Sequence, residues 1–314
     1  MPLVSVFMPV YNAMPFLPEA VESIRAQTFG DWEMLIVDDG STDGSWEFLQ
    51  SVPDCRIRLL RQPHQGPAAA SNLALAACRG EFAARMDADD LSHDTRLEEQ
   101  VAFLRAHPEV GLVGTQFEYL GSTRRGWPSS LPLDHAPIMG DLRAGRHAMC
   151  NGTIVSRTEL LRELGGYQAE GVLEDWAMFL RMGGRARIAN LDRVLYWYRV
   201  HAASTNSRHI RELRERTGYV CEQARRELEK ELPITFEQYL AQREGRPVWR
   251  RAVLAMENYG MVQYRGALND VLGARRFRGY LRMALAAACS PRLTLQRVLR
   301  PFRKRADPYT NGHS

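Results

Sequence analysis

Up to about residue 120, apolar runs of strand length alternate with segments whose apolar residues recur at helical spacing, and no other feature of the chain narrows its fold so far. The strand-length runs fall at 3–8, 33–37, 57–60, 81–86 and 110–119. Between the first two, Leu17, Val21 and Ile24 stand at i, i+4 and i+7, which puts them on one face of a helix. Pro18 is acceptable in the first turn of that helix, because its missing N–H has no partner there. Leu97, Val101 and Leu104 repeat the spacing until His107-Pro108 stops it. Strands and helices in alternation predict an α/β domain, a mostly parallel sheet with helices on its faces.

The second half is less regular. Segment 121–148, rich in Gly, Pro and Arg, reads as loop with one short helix. A further αβ portion follows, with strands expected at 153–156 and 194–200 and helices at 158–164 and 174–182. From about Arg208 only helical periodicity remains, through Leu213, Val220, Leu228, Tyr239, Val253 and Leu268. That shift divides the chain into a domain over 1–207 and a helical C-terminal region over 208–314, a division its length allows.

Composition excludes more than it specifies. At 45% hydrophobic and 25% charged residues the chain is an ordinary globular protein. Its five cysteines are scattered without metal or redox spacing, which points to a reducing cytoplasm. No stretch approaches the roughly 20 apolar residues of a membrane span, and the apolar N-terminus lacks a basic leader and reads as a buried strand. Ten of the 41 Lys and Arg residues lie between Arg275 and Arg305 with no acid among them, which leaves 31 against 37 acidic residues elsewhere. Leu293, Leu295, Val298, Leu299 and Phe302 interleave with those cations. A basic amphipathic end on a neutral-to-acidic body suits an anionic membrane surface, with a solvated terminal helix as the plainer reading. No nucleic-acid partner is expected.

Open parallel sheets bind ligands at the carboxyl ends of their strands, where loops and helix N-termini expose free backbone groups. Three polar clusters stand at such ends: Pro9-Val10-Tyr11-Asn12, Asp38-Asp39-Gly40-Ser41-Thr42-Asp43 and Asp87-Ala88-Asp89-Asp90. Two are acidic, which is odd for a pocket that merely attracts phosphates. A divalent cation resolves the oddity, since Mg²⁺ or Mn²⁺ takes hard carboxylate oxygens and bridges one or two of them to substrate phosphates. Asp87 and Asp89 are the candidates; Asp94 reads better as the cap of the helix that follows. Asp38-Asp39 is either a strand-to-turn transition eased by Gly40 or a pair that accepts hydrogen bonds from a base or ribose. Glu174-Asp175 could be no more than acids favoured at a helix N-terminus, His201 a hydrogen-bonded histidine, and Asn72 a packing residue under the donor loop.

Several stretches, taken in order, resemble family 2 glycosyltransferases, inverting enzymes with the GT-A fold. They are Val4-Ser5-Val6-Phe7-Met8-Pro9-Val10-Tyr11-Asn12, Gln27-Thr28-Phe29, Val37-Asp38-Asp39-Gly40-Ser41-Thr42-Asp43 and Gly80-Glu81-Phe82-Ala83-Ala84-Arg85-Met86-Asp87-Ala88-Asp89-Asp90. His107-Pro108-Glu109, Gly165-Gly166-Tyr167, Glu174-Asp175-Trp176 and Tyr198-Arg199-Val200-His201 complete the series. Each is weak alone; eight in sequence are specific.

The resemblance implies a role for each matching position. Pro9, Val10 and Tyr11, with Asp38, Asp39 and Asn72, would hold the nucleotide. Asp87, Ala88 and Asp89 would bind ribose, metal and diphosphate, Asp89 being the direct metal ligand with Asp87 and His201 beside it. Asp175 would be the general base. The cofactor implied is Mn²⁺ or Mg²⁺. The donor would be a nucleotide-diphosphate sugar, UDP ahead of TDP and GDP, and the acceptor a saccharide or lipid-linked sugar of cell-surface polysaccharide or glycolipid synthesis. The resemblance thus implies a hexosyltransferase in the cytoplasm or peripheral at the inner face of the membrane. One departure stands out: Ser71 occupies the place before Asn72 where relatives often carry Arg, so that a cationic contact is either lost or supplied by Arg85 or His64.

Rival readings fare worse. No G-x-G-x-x-G follows the first strand and no G-x-x-x-x-G-K-[ST] occurs, which removes a Rossmann dehydrogenase and a P-loop NTPase. A phosphatase built on Asp-x-Asp leaves Asp38-Asp39 and Glu174-Asp175 unexplained. A nucleotide-sugar-binding or assembly subunit without turnover remains as the alternative.

Overall fold

A computed structural model describes residues 1–123, 125–168, 173–201 and 210–291, and its centre is a nine-stranded sheet. The strands are β1 (Val4–Val10), β2 (Trp32–Asp38), β3 (Ile57–Arg61), β4 (Phe82–Arg85), β5 (Leu91–Ser92), β6 (Val110–Leu120), β7 (Arg125–Pro128), β8 (Val155–Arg157) and β9 (Arg187–Arg199). They lie in the order β3-β2-β1-β4-β8-β6-β9-β5, with β7 paired to β6 off this path. β1 to β4 are mutually parallel, as are β6 and β9. β8 runs against both of its neighbours, and β5 and β7 also run antiparallel to theirs. The sheet is therefore mixed around a parallel half. β1 and β2 are buried on both faces, as parallel strands covered by helices must be.

Helices cover the two faces. On one, α1 (Leu17–Arg25) buries Leu17, Ala20, Val21 and Ile24, and α4 (Arg96–Ala106) buries Leu97, Val101 and Leu104, in a core with Val4, Val6 and Met8. The short α2 (Ser45–Ser51) follows β2. On the other face lie α3 (Pro67–Ala77), α5 (His135–Arg143), α6 (Thr158–Glu163) and α7 (Glu174–Arg185), packed on Phe7, Leu35 and Val37. α3 is rich in alanine, which lets its backbone approach β1 and β2 closely.

Four helices follow: α8 (Ile210–Leu228), α9 (Phe236–Glu244), α10 (Val248–Leu272) and α11 (Arg276–Cys289). Val220 of α8 enters the second core beside Met139 and Trp176. α10 and α11 form a hairpin whose Tyr264, Leu268 and Ala286 pack on Tyr119, Trp127 and Val200 at the far end of β6. Gly121 makes that approach possible, because a Cβ there would lie 2.3 Å from Leu272 Cβ.

Three expectations need correction. Segment 121–148 holds a strand, β7, besides its helix; Gly126 and Pro128 gave it the composition of a loop, and an edge strand tolerates both. The last strand begins at Arg187 and not at 194, its apolar run being broken by the exposed Asp192-Arg193. Asp94 does not cap α4: Thr95 holds the cap position, and the Asp94 carboxylate lies 2.8 Å from His93 Nδ1. All five cysteines are free, and among the described residues no helix is long and apolar enough to cross a membrane. Of the basic segment 275–305, residues 292–305 lie outside the described residues.

Candidate active site

β1 and β2 pair in register to their last residues, Val10 opposite Asp38, so that Tyr11 and Asp39 emerge side by side. Side chains stitch the two loops together. Ser41 Oγ accepts the Asn12 N–H at 3.0 Å, Asn12 Oδ1 accepts the Thr42 N–H at 2.8 Å, and Asp43 Oδ2 accepts the Met14 N–H at 2.9 Å. Asn12 adopts φ 48°, a left-handed conformation that asparagine tolerates. Asp38 is fully buried; one oxygen accepts the Ser41 N–H, and the other lies 3.0 Å from Arg61 Nε.

Asp39 is committed to the loop after β3. Its Oδ1 accepts from Gln62 Nε2 at 2.6 Å and from the Gln65 N–H at 2.9 Å, while Oδ2 accepts the Gly66 N–H at 2.9 Å. His64 Nδ1 lies 2.8 Å from the same Oδ2, and the His64 ring stacks on Tyr11 with centroids 3.9 Å apart. Asp39 thus fixes the loop 62–66 whose His64 faces Tyr11.

The acidic loop after β4 is tethered to the end of β9, over a hundred residues later. Asp89 Oδ2 lies 2.8 Å from His201 Nε2, and its carbonyl accepts from Arg199 Nε at 2.8 Å. Asp90 Oδ1 accepts the Arg199 N–H at 2.7 Å. Asp90 is buried; desolvation, then the charges of Asp89 and Asp87, raise its carboxyl well above the usual range. The side chains of Asp87 and Asp89 keep 27% and 34% of their surface exposed, so these two can reach a ligand and Asp90 cannot. Ala88 between them is buried.

Two features hold Asp87 in place. Its Oδ1 accepts from Arg85 Nε at 2.9 Å, and its N–H points at Tyr196 Oη at 3.4 Å. Opposite stands Gly152, in a 3₁₀ turn over Asn151–Thr153; a Cβ there would lie 2.2 Å from Tyr196 Oη and 2.8 Å from Asp87 Oδ2. Gly152 and Tyr196 belong to the site, although neither stands in an expected motif.

Arg85 stands beside Ser71. Its buried guanidinium donates to Ser71 Oγ at 2.6 Å and to Asp87, and it lies 5.6 Å from the ring centroids of both Phe7 and Tyr167. Burial opposes its charge, but the Asp87 carboxylate beside it keeps its pKa above arginine's usual range. A cation therefore sits next to Ser71, reached from β4. Asn72 is spent on structure: its Nδ2 donates to the Tyr167 carbonyl at 2.6 Å and its Oδ1 accepts the Tyr167 N–H at 2.8 Å. This clamp needs Gly166, where a Cβ would lie 2.4 Å from Asn72 Oδ1.

Glu174 and Asp175 open the first turn of α7. Asp175 Oδ1 accepts the Trp176 N–H at 2.7 Å. Burial and then the neighbouring Glu174 push its carboxyl up to about 7, with Asp87 adding to the rise and Arg85 opposing it. Asp175 thus lies in the electrostatic field of the Asp87–Arg85 pair. Burial also raises the Glu174 carboxyl. Of the residues preceding α7, 171 and 172 lie outside the described residues.

A divalent cation can be tested against this donor set. Among the described residues no three His, Cys, Asp or Glu side chains converge tightly enough to hold an ion by themselves. Asp89 and His201 form a converging pair, with the open Asp87 carboxylate on the same loop. Mg²⁺ and Mn²⁺ are commonly held by one or two protein ligands plus substrate phosphates, so the set fits a cation that arrives with a diphosphate.

The profile of Glycosyl transferase family 2 matches residues 5–165, just over half of the chain. The chain belongs to that family. EpsE of Bacillus subtilis, described as a glycosyltransferase, is 36% identical over 205 residues, which cover 62% of this chain and 72% of EpsE. The Escherichia coli UDP-Glc:alpha-D-GlcNAc-diphosphoundecaprenol beta-1,3-glucosyltransferase WfaP is 29% identical over 214 residues, 68% of this chain and 83% of WfaP. Among solved structures, S. aureus TarS 1–349 in complex with UDP-GlcNAc superimposes with a TM-score of 0.61 at 19% identity, over 92% of this chain and 91% of that one. The mannosyltransferase PcManGT of Pyrobaculum calidifontis, in complex with GDP-Man and Mn²⁺, gives 0.54 at 21% identity, over 91% and 75%.

This family 2 glycosyltransferase has the GT-A type fold with a helical C-terminal region. Around the ends of β1, β2 and β4 it brings together Tyr11, Asp39, Asp87, Asp89 and His201, and Asp175 shares the field of Asp87. Asn72 points its amide at Tyr167.

Proposed function

We propose that this glycosyltransferase moves a hexosyl group from a nucleotide-diphosphate sugar, UDP by preference, to an acceptor hydroxyl with inversion at the anomeric carbon. The reading rests on one observation above others: a carboxyl pushed up to about 7 lies in the field of an acidic loop that is open to a ligand. UDP-linked sugars stand in the names of WfaP and of the TarS complex, which supports the nucleotide.

Asp175 acts as general base. Its Oδ1 is occupied by the Trp176 N–H, which leaves Oδ2 to take the acceptor's proton as the hydroxyl oxygen attacks. A pKa close to working pH keeps a useful fraction ionised and still basic. As the new glycosidic bond forms, the bond from the anomeric carbon to the diphosphate breaks and the nucleoside diphosphate leaves with the electron pair. A single displacement of this kind inverts the centre. Asp89, His201 and Asp87 would hold Mn²⁺ or Mg²⁺, which when bound neutralises charge on the leaving diphosphate as a Lewis acid. Arg85 keeps a second positive charge beside Asp87.

Pro9, Val10 and Tyr11 with Asp38 and Asp39 form the nucleoside's side of the site, Asp39 acting through loop 62–66. Ala88, between the two open aspartates, belongs to the diphosphate's side, and Asn72 acts through its clamp on the Tyr167 backbone. Catalysis belongs to 1–207, and 208–314 is an appended helical region. The acceptor is a saccharide or a lipid-linked sugar of cell-surface polysaccharide or glycolipid synthesis, used in the cytoplasm at the inner face of the membrane. The reading is tested by nucleoside diphosphate release from UDP-sugars with acceptor extracts, with and without EDTA. Loss of release in EDTA and in Asp175→Ala is expected. Donor binding without metal-dependent turnover would replace this reading with the inactive subunit.

A further inference from the structure

α11 turns its apolar side outward. Gly279, Met283 and Ala286 face α10, where a Cβ on Gly279 would meet Val271 Cγ2 at 2.4 Å. The opposite side carries Phe277, Tyr280, Leu281, Ala284, Leu285 and Ala288, spaced i, i+3, i+4, i+7, i+8 and i+11, all exposed. Phe277 is 79% exposed and Leu281 58%. A solvent-facing helix normally keeps its polar stripe outward; here that stripe is apolar throughout.

The charges on α11 have one sign. Arg275, Arg276, Arg278 and Arg282 flank the stripe, and α11 contains no acid. Asp270 of α10 pairs with Arg278 and Arg282, at 3.5 and 3.0 Å. Arg275 and Arg276 have no carboxylate partner among the described residues. Six outward apolar side chains with cations at their margin match a surface that is apolar inside and anionic at its edge.

We infer that the outward face of α11 is a docking surface for an anionic lipid bilayer, with Phe277, Leu281 and Leu285 entering the acyl boundary and the arginines meeting the headgroups. The inference makes specific the membrane-side location proposed above, but its test reads binding and not transfer. Fields of one sign screen away in salt, whereas apolar insertion does not, so the two contributions separate.

The experiment is co-sedimentation of the full-length protein with vesicles of phosphatidylcholine alone or with 30% phosphatidylglycerol, at about 0.15 M and about 1 M NaCl. The unmodified chain should pellet with the anionic vesicles and stay in the supernatant with neutral ones. A triple variant, Phe277→Ser with Leu281→Ser and Leu285→Ser, should lose at least tenfold in partitioning, with unchanged circular dichroism and unchanged donor hydrolysis. Arg275→Gln with Arg276→Gln should weaken binding less, and only at the lower salt. Triple-variant binding equal to that of the unmodified chain overturns the inference. So does sedimentation equilibrium in which the unmodified chain is a dimer and the triple variant a monomer, since the face would then join two copies. Intact vesicle binding in a chain that shows no transfer would separate this inference from the catalytic reading.

Discussion

Replacing Asp175 by Asn should stabilise the protein at pH 8 while abolishing most of its transfer. The Asp175 carboxyl is pushed up to about 7, first by burial and then by the Glu174 carboxylate. Against a free aspartate near roughly 4 that is about three pH units, and at about 1.36 kcal/mol each the ionised form costs at most about 4 kcal/mol. Asp175 is partly open to solvent, and Glu174 titrates beside it, so part of this penalty is relieved. About 1–2 kcal/mol is the gain expected from the neutral isostere.

The sign follows from proton counting. Between about pH 4 and pH 7 the folded state holds a proton that the unfolded state has released, so stability falls as pH rises through that window. The gap between variant and unmodified protein should therefore be about a third of its full size at pH 5 and full at pH 8. Scanning calorimetry reads it as a rise of about 1.5–3 °C in Tm at pH 8 for a chain of this length. In parallel, kcat/KM for nucleotide release should drop about 10²–10⁴-fold. A variant equally or less stable than its parent at pH 8 refutes the electrostatic reasoning. Unimpaired transfer refutes the base assignment.

Three other outcomes are expected. Glu174→Gln removes the like charge beside Asp175, so the acid limb of kcat/KM should move to lower pH; a limb that stays put would show that Glu174 does not act on the base. Asp89→Ala should erase the Mn²⁺-dependent rise in Tm that UDP gives, as EDTA should in the unmodified protein, and a retained rise would remove Asp89 from the metal site. Gly152→Ala puts a methyl into the space of Tyr196 Oη and Asp87 Oδ2, for which we expect about 1–3 kcal/mol of destabilisation and at least a tenfold loss of transfer by rate assay; unchanged kinetics would show that Asp87 can move freely.

β1 to β4, β6 and the helices carrying Leu17 and Leu97 were legible because period is a local property: a buried strand must be apolar along its length, and a helix must repeat at its turn. The two-residue β5 is too short to show a period. The acidic clusters were legible for a related reason, since a strand's end is visible where its apolar run stops. β7 and the first half of β9 were not, because an edge strand may carry Gly and Pro and a long strand may pass through solvent. α3 carried no stripe, being apolar nearly all round.

The sequence alone determined the order of elements and the identity of the acids, which neighbours in the chain suffice to specify. Only the tertiary structure decided what each acid is free to do. Asp39 is consumed by loop 62–66, Asp90 is buried, and Asp87 and Asp89 stay open. Arg85 meets Ser71 from another element, and Asp175 becomes basic through burial and through charges including Asp87, 88 positions away. Desolvation and Coulomb energy depend on distance in space, and distance in space is what the chain's own order leaves unwritten.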